Sequence, residues 1–165
     1  MEIDSLRKLY VEELKDLYSA EKQILQALPK MVKKASNAQL KSAFQDHLKV
    51  TEGHVQRLDQ IFEGLGKAAR GKKCKAMEGL IEEGKEVMAE DMEADLMDAA
   101  LISAAQRIEH YEMAGYGTVR TWAEHLGEGQ AAKLLQQTLD EEGDADKKLT
   151  QLAESTINVE ALQEA

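Results

Sequence analysis

His47 and His54 lie in the stretch HLKVTEGHVQRL, where an amphipathic helix would place apolar side chains. Leu40, Phe44, Val55, Leu58 and Phe62 recur at helical spacing, and His47, Thr51 and His54 fall in or beside the stripe they define. A buried imidazole without a partner costs a few kcal/mol. Acidic residues interrupt three other apolar stripes. Glu21 sits among Leu14, Leu17, Ile24 and Leu28, and Glu112 among Leu101, Ala105, Ile108, Val119 and Ala123, with Glu109 at the edge. Glu142 and Asp146 share a face with Leu135, Leu139, Leu149 and Ala153. Carboxylates at contact distance repel one another and hold their protons more tightly. A pair of divalent or trivalent cations removes that penalty, and a donor set of hard oxygens with one or two imidazoles suits Fe or Mn.

Four long helices must bring these residues together. Apolar periodicity predicts the first from about Ile3 to Lys34, starting at Asp4 or Ser5, with Pro29 kinking or shortening it. Ser36 and Gln39 read as a capping box for the second, which extends to about Glu63 and stops at Gly-Leu-Gly. The basic stretch KAARGKKCK reads as a flexible linker, and AMEGLIEEGKEVMAED as a short connecting helix outside the main core. The third long helix covers about Glu93 to Leu126, and the fourth about Gln130 to Ser155. The polar tail TINVEALQEA is expected to fray or pack weakly. Two helical hairpins joined by one long crossover make the ferritin-like version of the four-helix bundle. The expectation is therefore an all-α single domain over residues 1–165, with a short extra helix in the crossover.

Composition narrows the function. The 165 residues carry 21 Lys and Arg against 31 Asp and Glu, a net charge of −10 that repels phosphate backbones and anionic lipid. Nucleic-acid and membrane partners are not expected. The N-terminus lacks an apolar signal core, no apolar run approaches membrane-spanning length, and the single Cys74 cannot form an internal disulfide. A cytoplasmic location is the expectation. The basic run around Cys74 is of a kind that lowers a thiol pKa, but a peroxidase-like role for Cys74 would lack a resolving cysteine.

Taken singly, each acidic residue has a plainer reading, at the margin of a stripe with its head in water. Glu13 and Asp98 are read that way. A lone histidine on an apolar face is ordinarily hydrogen-bonded to a carboxylate or the backbone. The joint placement near mid-length on all four helices is what favours a metal centre. The usual di-iron bundle takes a Glu from each of two helices and Glu-x-x-His from each of the other two. This chain departs from it: Thr51 precedes His54 where Glu is expected, and Ala145 follows Glu142 where His is expected. An asymmetric or one-metal site is the corresponding expectation.

The strings YSAEKQILQALPKM, AMEGLIEEG, DAALISAAQRIEHYEMAGYGT and LLQQTLDEE resemble the YciF-type stress-response proteins, a bacterial ferritin-like family. The resemblance covers nearly the whole chain and implies a rubrerythrin-like bundle, a homodimer and a link to general stress responses. It strengthens Glu21, Glu109, Glu112 and Glu142 as site positions. It also implies Glu-Thr where this chain has Val50-Thr51, so His54 becomes the substitute ligand on the second helix. The expected metal set is Glu21, His54, Glu109, Glu112, Glu142 and Asp146, with Glu112 or Glu142 bridging a di-metal (Fe or Mn) site. Asp146 and His47 also qualify as groups that orient the ligands by hydrogen bonds. A redox-active centre would use oxygen or peroxide, with Tyr18, Tyr111 or Tyr116 close by. The rival expectation is a non-catalytic dimeric structural or stress-adaptor protein, whose inward carboxylates pair with His47, His54 or Arg107.

Overall fold

Ser5 opens the first helix: its hydroxyl accepts the Lys8 amide, satisfying one of the donors that every helix start leaves free. The computed structural model describes residues 3–163. From Ser5, α1 (Leu6–Lys34) runs through the exposed Pro29 without being shortened, and buried Leu28 and Met31 anchor its last turns.

The second helix, α2 (Ala38–Leu65), is capped by Asn37 and not by Ser36. The Asn37 Oδ1 accepts the amides of Gln39 at 2.9 Å and Leu40 at 3.1 Å. The amides of Ser36 and Asn37 instead donate to Asp98, at 2.8 and 2.6 Å. Asp98 is thus no margin residue. It is 1% exposed and fastens the first interhelical turn to the helix that follows the crossover. Asp98→Ala is expected to cost about 1–3 kcal/mol, the usual penalty for removing a charged acceptor from partly buried donors. Thermal denaturation reads it as a lower Tm with the helical signal retained.

Gly66, at φ 59°, ends α2 in the left-handed conformation that glycine tolerates. The end of the linker is pinned: the Cys74 amide donates to Ser19 Oγ at 2.9 Å, and Gln23 Nε2 donates to the Cys74 carbonyl at 3.0 Å. Cys74 caps α3 (Lys75–Ala89), which packs against α1 and α4 (Ala94–His125). With Met77 fully buried and Leu80, Ile81 and Met88 packed on the core, α3 contributes more than a connection. Then come α5 (Gly129–Leu152), a π-helical turn (Ala153–Ile157) and α6 (Asn158–Gln163). The tail does not simply fray: Ile157 and Ala161 are buried, and this segment folds back on α4.

In the bundle α1 lies against α2 and α4, and α5 against α2 and α4. Asp98 puts the start of α4 at the α1–α2 turn. A 2.7 Å ion pair between Arg7 and Glu128 puts the α4–α5 turn at the start of α1. The crossover therefore runs the length of the bundle and leaves neighbouring helices antiparallel, the ferritin-like arrangement. No strand occurs among the described residues. Gly115 lets α4 close on α1, since a Cβ there would stand 2.7 Å from Leu17 Cδ2.

The core has two apolar parts. One gathers Ile24, Leu28, Phe44, Leu101, Ile108 and Leu149, and the other Tyr10, Leu14, Leu58, Phe62, Val119 and Leu135. Burying each such side chain stabilises the fold by about 1.5–3 kcal/mol. On every one of the four long helices, buried polar residues fall between the residues of these two clusters.

Candidate metal centre

Each helix supplies this polar layer from the middle of its buried stripe: Glu21 from α1, His47 and His54 from α2, Glu109 and Glu112 from α4, and Glu142 from α5. The ligand-type atoms fall into two groups. Glu21, His54, Glu112 and Glu142 form one, and His47, Glu109, Glu112 and Glu142 the other, with the atoms of each group within 4.8 Å of one another. Glu112 and Glu142 belong to both. Each group therefore holds one imidazole, one carboxylate of its own and two shared carboxylates.

The structure brings together Glu21, His54, Glu109, Glu112 and Glu142, and it adds His47. The arrangement is balanced where the sequence suggested asymmetry. His47 and His54 are two helical turns apart on one face of α2, and that spacing was the signal available for pairing them. Val50 takes no part in either group and lines a neighbouring cavity. Asp146 also lies outside both groups. Its Oδ1 accepts from Gln106 Nε2 and faces His110 Nε2, each at 3.1 Å, on the α4–α5 seam.

The electrostatics are those of a site short of positive charge. His54 Nδ1 stands 3.2 Å from Glu21 Oε1 and 2.9 Å from Glu142 Oε1. His47 Nε2 stands 3.1 Å from Glu109 Oε1 and 3.8 Å from Glu142 Oε2. Despite this closeness, both of these nitrogens, both oxygens of Glu112 and of Glu142, and Oε2 of Glu21 and Glu109 have no hydrogen-bond partner. Burial, and then the charges of Glu142, Glu21 and Glu109, push Glu112 well above the ordinary carboxylate range. Burial and Glu109 do the same to Glu142. For Glu109 burial pushes upward, but its neighbours Glu142 and His47 outweigh it and hold the group low. Burial alone would lower His47, yet Glu109 and Glu142 raise it to about 9.

Sequence reasoning missed the surroundings of His54. Its Nε2 faces Glu141 Oε2 at 3.1 Å, and Arg57 holds that carboxylate in a two-pronged pair at 2.7 and 2.8 Å. Burial pushes Glu141 up, but the Arg57 and Gln137 hydrogen bonds prevail and hold it low. An ionised Glu141 accepts a hydrogen bond from His54 Nε2–H, which keeps the ring proton on Nε2 and leaves the Nδ1 lone pair facing the layer. Nothing in a linear sequence pairs Arg57 with Glu141, because each lies outside its helix's apolar pattern. Thr51, also on α2, is fully buried with its hydroxyl unpartnered.

Of the three tyrosines considered, Tyr116 reaches the layer: its hydroxyl donates to Glu21, and its ring meets that of His54 edge-on at 6.2 Å. Tyr18 packs on Phe62. The Tyr111 hydroxyl donates to Asp16 and touches Cys74 Sγ at 3.0 Å. Cys74 is fully buried, and burial followed by the Asp16 contact raises its thiol pKa, so the basic run does not activate it. Arg107 is exposed and pairs with none of the inward carboxylates.

The molecule is an all-α, ferritin-like four-helix bundle built around a buried cluster of carboxylates and histidines. The family described as "Domain of unknown function (DUF892)" matches residues 5–162, and the chain belongs to it. The chain is 49% identical to protein YciF of Escherichia coli K12 over 131 residues, which cover 79% of each sequence. The crystal structure of the E. coli stress protein YciF superposes with a TM-score of 0.91 at 46% identity, covering 94% of this chain and 99% of that one. YcfI of Rhodopseudomonas palustris, for which a structural role has been suggested, superposes with a TM-score of 0.88 at 41% identity, covering 90% and 95%. The chain is thus a YciF-like member of that family. No helix among the described residues is long and apolar enough to cross a membrane.

Proposed function

We propose that the polar layer is a di-metal carboxylate centre, in which Glu112 and Glu142, members of both ligand groups, would hold the ions together with His54 and Glu21 on one side and His47 and Glu109 on the other. One observation carries this reading: two fully buried carboxylates, shared by two ligand groups, have all four oxygens without a hydrogen-bond partner. Buried polar atoms are ordinarily satisfied, and a cluster this depleted calls for cations. The charge balance agrees. Four carboxylates sum to −4, which two divalent ions neutralise with both imidazoles uncharged. Oxygen-rich ligands with one imidazole per ion suit Fe or Mn.

Bound iron would supply redox chemistry with oxygen or peroxide. The chain's own part is to hold the ligands in place and exclude water. The Arg57–Glu141 pair orients His54, and Tyr116 orients Glu21. Glu141→Gln is expected to weaken metal binding about 10–100-fold, the usual effect of losing a carboxylate behind a ligating histidine. Competition with a chelator of known affinity measures it.

The direct test is the metal content of protein purified without chelator, then after anaerobic loading with ferrous iron or Mn. About two ions per chain are expected from the two four-ligand groups. Absence of bound metal after anaerobic loading would overturn the reading.

The alternative is a non-catalytic structural or stress-adaptor protein without metal. The close His47–Glu109 contact and the Tyr116–Glu21 hydrogen bond favour it, since each neutralises or satisfies part of the layer. It predicts no change in Tm on loading. A cytoplasmic homodimer belongs to either reading, and sedimentation equilibrium tests the dimer.

A further inference from the structure

A cavity of about 240 Å³ adjoins one side of the polar layer only. His47 and Glu109 lie on its wall, whereas His54 and Glu21 do not line it. Most of the remaining wall is apolar, with Ile24, Met31, Phe44 and Ile108 prominent. The space exists because each long helix places an alanine there: Ala27, Ala43, Ala105 and Ala145. Its charged fringe is Asp46, Glu141, Asp144 and Lys148, with Lys148 Nζ already 3.6 Å from Asp46. Arg57 holds Glu141 and Lys147 lies 3.7 Å from Asp144, so the fringe's one cation, Lys148, is already paired and the mouth offers an anionic ligand no unpaired ammonium. Apolar walls meeting a few convergent polar groups are the make-up of a small-molecule site.

We propose that this cavity binds a neutral, mainly apolar small molecule with one polar end, such as a medium-chain alcohol, and presents that end to the His47–Glu109 side of the layer. The cavity stands on its own geometry, and its chemical purpose rests on the di-metal reading. It makes the two sides of the centre unequal in access although they are matched in ligands. The ligand class follows from the contrast between an apolar interior and a mouth whose charges are already paired with one another.

Metal-free protein titrated with 1-octanol and, separately, with octanoate tests the proposal, with methyl chemical shifts of Ile24, Met31 and Ile108 as the readout. Octanol is expected to saturate one site and move these methyls, and octanoate to bind at least tenfold more weakly. Ala145→Phe, which fills the cavity, should weaken octanol binding at least tenfold. Val50→Phe, on a half-buried part of the wall, does the same job should Ala145→Phe misfold. No saturable shift, equal binding of octanoate, or unchanged affinity in a folded cavity-filling variant would overturn the proposal. The Glu112→Gln, Glu142→Gln double variant should still bind octanol, and Ala145→Phe should still load metal. Failure of the cavity and failure of the metal centre are therefore distinguishable.

Discussion

Glu112→Gln combined with Glu142→Gln is expected to reduce bound metal from about two ions per chain to nearly none, because both ligand groups lose two of their four members together. Single changes at the ends of the site should act differently. Glu109→Gln or His47→Ala removes a ligand from one group, and Glu21→Gln or His54→Ala from the other, so each should preserve one ion better than its neighbour. Elemental analysis after anaerobic loading gives the stoichiometry, and circular dichroism confirms the fold. If the double variant retains both ions, the metal lies elsewhere. If Glu109→Gln and Glu21→Gln lose metal identically in every titration, the centre loads as a single cooperative unit and not as two sides.

The same double variant has a second consequence, opposite in sign. Without metal, a buried carboxylate pushed far above its ordinary pKa opposes ionisation of the folded state. Glu112 and Glu142 hold protons in the folded chain that the unfolded chain has released, so folding stability falls as pH rises above the ordinary carboxylate range. His47 adds to this trend. Its pKa is raised from 6.5 to about 9, so its contribution is fully present below 6.5 and is lost as pH rises through about 9. That step is worth on the order of 3 kcal/mol. Glu109 and Glu141 act in the other direction, holding low pKa values whose stabilisation is lost in acid. Metal-free protein should therefore be most stable in mild acid and lose several degrees of Tm between about pH 6 and 9. Removing the ionisable carboxylates by Glu112→Gln and Glu142→Gln should flatten much of this loss. Loading with metal should reverse it, since bound ions favour the deprotonated ligands. A metal-free Tm that rises from pH 6 to 9 would show that the layer's charges are balanced by the protein alone.

Much of this was legible along single helices. The apolar stripes, the glycines after α2 and α4 and the long segment between the hairpins together define a four-helix bundle with a crossover. The intrusions of Glu21, Glu109, Glu112, Glu142 and His54 show in the same periodicity, because which face of a helix is buried is a local property. Asn37 displaced Ser36 as a cap because Asp98, distant in sequence, claims the amides of Ser36 and Asn37. Ile157 and Ala161 hold down a tail whose polar composition concealed them.

The sequence by itself determined which residues violate their stripes, and so the chemical character of the layer: hard oxygen donors with imidazole. Only the tertiary structure decided which of them meet. Asp146 is one turn from Glu142 on the face read as buried, yet at its level that face turns to Gln106 and His110. His47 stands with Glu109 because α2 and α4 are set at one particular height, fixed by the crossover and by Asp98. The Arg57–Glu141 pair and the ring of four alanines depend on the same relative heights and rotations. Helical periodicity gives the direction of a side chain about its own axis. The distance between side chains on different helices depends on how those axes are placed, and only packing sets that.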